Sequence, residues 1–218
     1  MNLETQFKNT LKKIKLPKKS KILVAVSGGK DSSVVAYLLK KYGYNIEAIY
    51  IDLGMGKYSR DCLSAVKRLC ENLGIKLHIY DIKKEMGSSM CYLRSSIQSK
   101  KSLKNCTICG VIKKWILNRE ARKLKANYIA TGHHLDDEIQ TFMLNVLKGN
   151  PELSANSGAI TRNIPDKKFI PRIKPLFYIA EEDIRKYAKE KKLPVVYEKC
   201  PCAIDSYRIQ IREFMKSL

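Results

Sequence analysis

The chain has 218 residues, of which 42 are lysine or arginine and 21 are aspartate or glutamate, giving a formal net charge of +21. This length suits a single domain over residues 1–218, and the lack of a long apolar run or a secretory leader predicts a cytoplasmic protein without a membrane span. The positive charge favours a polyanionic partner such as nucleic acid, although a generally lysine-rich proteome would give the same excess.

The first predicted element is a short amphipathic helix over about residues 3–15. Leu3, Phe7, Leu11 and Ile14 recur at helical spacing, and Pro17 follows them. This apolar face could pack on the body of the domain or on a second copy of the chain. The sequence therefore also allows a homodimer.

A strand, a glycine turn and the start of a helix then follow one another. The β-branched run Ile22–Val26 predicts a buried strand, and apolar residues resume at helical spacing from Val34 to Leu39. Backbone N–H groups beside paired glycines and at a helix N-terminus bind phosphate, whereas the spacing of a Walker A loop is absent. An ordinary strand-to-helix turn is the alternative. We expect the intervening segment to bind phosphate through Ser27, Gly28, Gly29, Lys30, Asp31 and Ser32.

Three further strands are predicted at Asn45–Ile51, Lys76–Asp81 and Asn127–Thr131, alternating with helices. This alternation indicates an α/β fold with an open, mostly parallel sheet and helices on both faces. Ligands of such sheets lie beyond the carboxyl ends of the strands. We therefore expect the phosphate-bearing ligand to contact residues that follow two of these strands, namely Asp52, Gly132 and His133.

The remaining predicted elements lie between and after these strands. Helices are expected around 58–73, 86–97, 106–125, 135–147, 180–192 and 206–218, short strands at 170–175 and 195–196, and a loop over the site at 152–168. On the helices predicted at 106–125 and 135–147, the core spacing of the apolar residues predicts that these residues face inward. These residues are Val111, Ile112, Trp115, Ile116 and Leu117 on the earlier helix, and Ile139, Phe142, Met143, Val146 and Leu147 on the later one.

Seven cysteines in a cytoplasmic chain are poor candidates for disulfides. Cys62, Cys70 and Cys91 stand alone among apolar or mixed residues, so we interpret them as core or incidental thiols. The other four form two close pairs, Cys106/Cys109 and Cys200/Cys202. Four thiolates could bind zinc, three would leave one iron of an iron–sulfur cluster without a protein ligand, and a CxxC pair alone also fits redox chemistry.

Five motifs occur in order along nearly the whole chain: SGGKDS, CTICG with Lys113 four residues after its second cysteine, GHHLDDEIQT, RIKPL and EKCP. Together they resemble the tRNA 2-thiolation branch of the PP-loop ATP pyrophosphatase superfamily, the 2-thiouridine and 2-thiocytidine synthetases. The resemblance implies that ATP is split between its α- and β-phosphates, with Mg²⁺, to adenylate a pyrimidine C2 carbonyl of tRNA. Sulfur, from free sulfide or a sulfur-carrier protein, would then replace the oxygen.

The same resemblance implies a [4Fe–4S] cluster held by Cys106, Cys109 and Cys200, with Cys202 either a fourth ligand or a bystander. It also implies catalytic roles for Lys113 and Asp137 beside the three cysteines. The alternative for Asp137 is an acidic first helix turn favoured by the helix dipole, and Lys113 could equally be a solvated helix lysine.

The chain departs from part of this family. Many 2-thiouridine synthetases carry zinc ribbons that begin with a CxxC pair near the N-terminus, whereas no cysteine precedes Cys62 here. We therefore expect a short form that holds tRNA by basic patches at 12–21, 100–104 and 119–125. Two other functions stay open: a PP-loop ligase that adds, for example, lysine to a tRNA base without using the cysteines, and a non-catalytic iron–sulfur or zinc RNA-binding module.

Overall fold

Five strands form one sheet in this computed structural model, which describes residues 2–99, 105–161, 168–198, 200–201 and 207–216. The strands are β1 (Lys21–Val26), β2 (Asn45–Asp52), β3 (Leu77–Asp81), β4 (Tyr128–Ala130) and β5 (Arg172–Ile173). Their order is β3-β2-β1-β4-β5, and each neighbouring pair is parallel. The predicted open, parallel α/β sheet is confirmed.

The central strand β1 determines where a ligand can bind. It pairs with β2 on one side and β4 on the other, and the register aligns Val26 with Tyr50 and Val24 with Ala130. The direction in which the chain adds strands reverses at β1, and ligands of open α/β sheets bind in the crevice outside such a reversal. The segment that follows Val26 therefore lies at the ligand-binding edge.

Helices connect the strands across both faces of the sheet. The described residues contain α1 (Leu3–Lys13), α2 (Lys30–Lys41), α3 (Gly56–Leu73), α4 (Ile82–Met86), α5 (Met90–Gln98), α6 (Asn105–Lys123), α7 (Leu135–Leu147), α8 (Glu181–Glu190), α9 (Tyr207–Lys216) and a 3₁₀ helix at Pro151–Asn156. The helix predicted around 86–97 corresponds to α5, and the separate helix α4 ends at Met86, just before the turn at Gly87–Ser89. Within the described residues, no helix is long and apolar enough to cross a membrane.

The core has an apolar layer on each side of the sheet. Ile22 and Val24 face the larger layer, which Phe7, Leu38 and Leu39 help to fill. Leu23, Ile49 and Ile129 face the other layer, against Leu117 and Ala121 of α6. Because both faces are covered, the strands are apolar along most of their length, as the run ILVAV indicates.

The N-terminal helix packs on its own domain. Leu3, Phe7 and Leu11 are buried in the larger layer, so they are not available to a second copy of the chain. Glu4 fixes the same helix from the side, because its carboxylate accepts hydrogen bonds from Lys41 (2.6 and 2.8 Å), Tyr42 and Tyr187 (2.7 Å). The bond from Lys41, followed by those from the tyrosines, lowers the pKa of Glu4 to about 2.

The inward orientation predicted for two helices is partly wrong. On α6, Ile116 and Leu117 are buried, but Val111 and Trp115 are exposed. On α7, Ile139, Phe142, Val146 and Leu147 are all exposed, and the buried side chain is Gln140. Helical periodicity shows that one side of a helix is apolar, but not whether anything covers it. The described elements that contact α7 most are short, the 3₁₀ helix and α9, and they leave most of its apolar side uncovered.

Two other predicted elements differ from the structure. The segment at 195–196 forms no strand among described residues 193–198; instead the Val196 N–H donates to the carbonyl of Gly28 (2.8 Å). The strand predicted at 170–175 shortens to β5, since the prolines on either side cannot donate to a ladder. Residues 162–167 of the predicted loop, the basic patch at 100–104, and Cys202 lie outside the described residues.

Candidate active site

The loop between β1 and α2 is a hydrogen-bonded turn that leaves the start of α2 open. The Ser27 N–H donates to Ser32 Oγ (3.1 Å), while the hydroxyls of Ser32 and Ser33 donate to the Gly29 carbonyl (3.2 and 3.0 Å). The first N–H groups of a helix have no partner inside it, and because the N-cap residue is Gly29, no side chain caps them here. Uncapped N–H groups at a helix N-terminus form a binding site for phosphate.

Gly28 must be glycine for two reasons. Its φ is +83°, in the left-handed region, and a Cβ atom there would lie 2.9 Å from both Cα and Cβ of Cys62 on α3. The loop is thus in direct contact with the helix that follows β2. This contact brings the Cys62 thiol to the site.

Gly132 brings the end of β4 against the same loop. A Cβ atom at this position would lie 2.7 Å from the Ser32 nitrogen and 2.9 Å from the Asp31 carbonyl carbon. These are backbone atoms at the start of α2, so they cannot move aside without displacing the phosphate-binding N–H groups. The observed role of Gly132 is therefore close packing, and its contact with nucleotide stays a prediction.

Lys30 lies in an ion-pair network at the start of α2. Its Nζ atom is 2.8 Å from Glu181 Oε1 on α8 and 3.0 Å from Asp31 Oδ1, and its side chain is only 11% exposed. Arg212 also approaches Glu181 (3.5 Å). Burial would raise the pKa of Glu181, but the hydrogen bond and charge of Lys30 outweigh it, so this pKa lies below its ordinary value. If Lys30 contacts phosphate as predicted, it must exchange a carboxylate partner for the phosphate.

The acidic first turn of α7 connects neighbouring elements. Asp136 accepts a hydrogen bond from the Glu181 N–H (2.8 Å), and Glu138 pairs with Lys174 after β5 (2.6 Å). Asp137 accepts a longer bond (3.4 Å) from the N–H of His134 as part of a capping box. All three carboxylates thus have structural contacts at the start of α7, as the alternative interpretation of an acidic first turn allows. A catalytic role for Asp137 stays a prediction.

The two other predicted nucleotide contacts lie at the expected edge. Asp52 is the last residue of β2, and its Oδ1 atom accepts a hydrogen bond from the Gly54 N–H (2.8 Å), which shapes the turn beside the loop. His133 is exposed after β4, with Nδ1 2.9 Å from Thr131 Oγ1. Both are within the ligand-binding edge, although the predicted contact with nucleotide stays untested.

A cavity of about 150 Å³ joins the phosphate loop to the cysteine segments. Its lining includes Ser27 of the loop, Cys62 of α3, Lys113 of α6 and Cys200. Residues at the ends of β1 and β2 also line it, together with Met55 and Tyr58. Three residues far apart in sequence, predicted for three different tasks, therefore share one enclosed space: Ser27 for phosphate, Lys113 for catalysis and Cys200 for sulfur.

The cysteine positions fit thiolate ligation of an iron–sulfur cluster. Cys106 and Cys109 are one turn apart on α6 and Lys113 lies one turn further, so all three positions are on one side of the helix. Cys109 packs beside Leu53, which also lines the cavity with Cys200. Among the described side chains, which do not include that of Cys106, no three potential ligands converge closely enough to hold a metal ion. Thiolate sulfur is the donor that iron–sulfur clusters use.

Cys62 and Glu181 are site residues that the sequence did not indicate. Cys62 is 2% exposed, borders the cavity and interacts with both Tyr58 and Cys200. Burial raises the pKa of its thiol above the ordinary value. Cys62 stands alone between Asp61 and Leu63 on a helical pattern, as an incidental or core cysteine does, and no motif connects Glu181 with Lys30, 151 residues earlier. Neither residue carries a local signal that could have revealed its place.

Comparison with known proteins gives a consistent set of relatives. The family model described as a PP-loop domain matches residues 1–217. The chain is 37% identical over 217 residues to the tRNA-5-methyluridine(54) 2-sulfurtransferase of Pyrococcus horikoshii, covering 99% of this chain and 67% of that one. It is 33% identical over 222 residues to the cytoplasmic tRNA 2-thiolation protein 1 of Anopheles gambiae, covering 99% of this chain and 64% of that one.

A similar solved structure also belongs to a tRNA thiolation protein. The U34-tRNA thiolase NcsA of Methanococcus maripaludis, determined with its [4Fe–4S] cluster, superposes with a TM-score of 0.84 at 31% identity, covering 99% of this chain and 71% of that one. An NH3-dependent NAD synthetase of Campylobacter jejuni shares the fold, with a TM-score of 0.55 at 16% identity over 99% of this chain and 86% of the synthetase. The chain thus spans about two thirds of the length of the curated relatives named above.

Proposed function

Because this chain belongs to the PP-loop family, in its tRNA 2-thiolation branch, we propose that it is an ATP-dependent tRNA sulfurtransferase that replaces the C2 oxygen of a uridine with sulfur. The observation that carries the proposal is the cavity shared by Ser27, Lys113 and Cys200. It joins a phosphate-binding loop, a cation and a thiol. These are the groups needed to activate an oxygen and then replace it. The names of the relatives specify uridines at two different tRNA positions, 54 and 34. The position of the uridine that this chain modifies must therefore be determined by experiment.

The phosphate loop carries out the activation half of the reaction. The C2 oxygen attacks the α-phosphate of ATP, pyrophosphate leaves, and the oxygen becomes part of an AMP ester. The uncapped N–H groups of α2 and the ammonium of Lys30 bind the departing pyrophosphate, and Mg²⁺ neutralises further phosphate charge. Asp137, in the first turn of α7, would bind that ion or accept a proton.

The cysteine half supplies the sulfur. A [4Fe–4S] cluster held by Cys106, Cys109 and Cys200 would present sulfide at the iron without a protein ligand. The sulfur attacks C2, and the C2–O bond breaks as AMP leaves with the oxygen. Lys113, a half-buried residue that lines the same cavity as Ser27 and Cys200, would stabilise the negative charge that develops on the departing AMP.

The sulfur donor, the cellular location and the oligomeric state are also part of the proposal. We propose that the sulfur comes from free sulfide or a sulfur-carrier protein, and that the protein acts in the cytoplasm, as the name of the Anopheles gambiae relative indicates for that protein. A homodimer, if it forms, would use a surface other than Leu3, Phe7 and Leu11, because these residues are buried within the domain.

The test compares Cys200→Ser with Cys91→Ser, a half-buried cysteine on α5 outside the cavity. Each protein is purified anaerobically, and iron, sulfide and zinc are measured. We expect the wild type and Cys91→Ser to bind iron and sulfide, to form AMP only with tRNA, and to yield 2-thiouridine by nucleoside mass spectrometry. We expect Cys200→Ser to lose iron and thiolation but still to bind ATP. Colourless protein with stoichiometric zinc would refute the cluster, and full activity of Cys200→Ser would favour a ligase that does not use the cysteines.

A further inference from the structure

Helix α1 and the end of α2 enclose a second cavity, on the opposite side of the domain from the active site. Its lining consists of four lysines, Lys8, Lys12, Lys15 and Lys18, and four largely buried or aromatic residues, Leu11, Leu16, Tyr42 and Tyr44. Its volume is about 320 Å³. We call this feature the basic groove.

The groove carries positive charge without carboxylate partners. In the described part of the chain, no ion pair involves Lys8, Lys12 or Lys15, and all three side chains are exposed. The first 21 residues contain seven lysines and a single acidic residue, Glu4. Hydrogen bonds already engage Glu4 with Lys41 and two tyrosines. The groove therefore attracts anions, and its charge is not offset from within the domain.

The aromatic rings in the groove position ammonium groups rather than bases. Lys18 Nζ lies 4.0 Å from the ring centroid of Tyr44, and Lys8 Nζ lies 5.1 Å from that of Tyr42. Lys18 Nζ also donates to the Tyr42 carbonyl (2.7 Å). The observed partners of these two rings in the groove are therefore ammonium groups. The groove is suited to phosphate contacts, which do not depend on base sequence.

The basic groove lies at the opposite end of β1 from the candidate active site. Lys18 and Tyr44 lie just before β1 and β2 begin, whereas the phosphate loop follows the end of β1. The six residues of β1 span roughly 20 Å at about 3.3 Å per residue. An anion in the groove therefore cannot also be the nucleotide in the active site.

We propose that the basic groove binds the sugar–phosphate backbone of the substrate tRNA, at a part of the molecule away from the reacting uridine. This proposal rests on the proposed function for the identity of the RNA. A concave surface with separated ammonium groups accommodates a narrow, charged ridge such as a polynucleotide backbone. A flat anionic membrane would meet the rim of the groove but not its floor.

Lys15 offers a variant that removes charge without harming the fold. It follows Ile14, the C-cap residue of α1, with a φ of +50°, and the Leu16 N–H donates to the Leu11 carbonyl (3.1 Å). Helix ends of this kind usually have glycine at the position of Lys15. Lys15→Gly should therefore keep the backbone and relieve its strain. Lys192 has the same geometry, with a φ of +49°, after α8.

The experiment compares two triple variants that each lose three charges. The groove variant is Lys8→Gln, Lys12→Gln and Lys15→Gly, and the control is Lys67→Gln, Arg68→Gln and Lys192→Gly, all exposed positions. Binding of a tRNA transcript is followed by fluorescence anisotropy over a range of salt concentrations. ATP-induced thermal stabilisation and the KM and kcat of thiolation are measured on the same proteins.

We expect the groove variant to bind tRNA on the order of 30-fold more weakly at about 0.1 M salt, with a salt slope smaller by about 2 to 3. Its KM for tRNA should rise while kcat and ATP-induced stabilisation stay unchanged, and the control should lose much less affinity. Equal loss in both variants would refute the groove, because it would show that only net charge matters. Wild-type binding to phosphatidylglycerol vesicles but not to tRNA would refute it in favour of a membrane. Groove-dependent tRNA binding without any thiolation would support the groove and refute the proposed function.

Discussion

Replacing Gly132 with alanine tests whether the end of β4 holds the phosphate loop in place. The added methyl group would lie 2.7 Å from the Ser32 nitrogen and 2.9 Å from the Asp31 carbonyl carbon, both backbone atoms. Forcing such a group into a packed site costs about 1–3 kcal/mol. For a chain of this size, a loss of about 2 kcal/mol lowers Tm by roughly 4–8 °C. The displaced atoms belong to the phosphate-binding N–H groups, so the affinity for ATP should fall at least about tenfold.

The assay is thermal unfolding of Gly132→Ala and wild type, each with and without ATP. Gly110→Ala is the matched control for stability, because no atom outside its own helix lies within 4 Å of a Cβ there and α6 should become slightly more stable. We expect Gly132→Ala to melt earlier and to gain less from ATP than the wild type. A Gly132→Ala protein with wild-type Tm and wild-type stabilisation by ATP would refute the reasoning.

Three further predictions follow from ionisable groups. Lys30→Ala should abolish tRNA-dependent AMP formation and cost about 2 kcal/mol, because Glu181 would keep only the more distant guanidinium groups of Arg185 and Arg212 (3.5 Å each) as partners. Adding Glu181→Gln should restore Tm but not activity, and restored activity would contradict the assignment. Glu4 has a folded pKa of about 2 against an ordinary 4.5, so its stabilisation is complete above pH 4.5 and is lost as the pH falls toward 2. After allowance for solvent screening this amounts to about 1 kcal/mol, seen as a smaller acid-induced drop in Tm for Glu4→Gln. Burial raises the pKa of Cys70 to about 11, so iodoacetamide at neutral pH should modify the half-buried Cys91 first, and equal rates in a mass-spectrometric time course would contradict this.

The fold and the phosphate loop could be predicted because their signals are local. The run ILVAV, the paired glycines and the helical spacing after Ser32 dictate a strand, a turn and a helix within eighteen consecutive residues, 22–39. The alternation of strands and helices then indicates a parallel sheet, and such a sheet has only one edge at which a loop after a strand can meet a ligand. Asp52, Gly132 and His133 were expected at this edge for that reason, and the structure places them there.

Exposure of apolar helix faces could not be predicted in the same way. Phe142 and Leu147 have the spacing of core residues but are exposed, whereas Phe7 and Leu11, with the same spacing, are buried. The periodicity is a property of each helix, but burial depends on which other elements lie against it. α1 contacts the larger core layer, while the elements that contact α7 most are a short 3₁₀ helix and α9.

The sequence by itself determined the strand–loop–helix unit, the order of the motifs and the excess of positive charge, because each is a property of neighbouring residues or of composition. Only the tertiary structure decided that Lys30 pairs with Glu181, that Cys62 borders the cavity of Lys113 and Cys200, and that lysines on and just after α1 line a groove. These contacts join residues that are separated by many positions in the chain. Packing of α3, α6 and α8 against the sheet brings them together, and no local pattern encodes that packing.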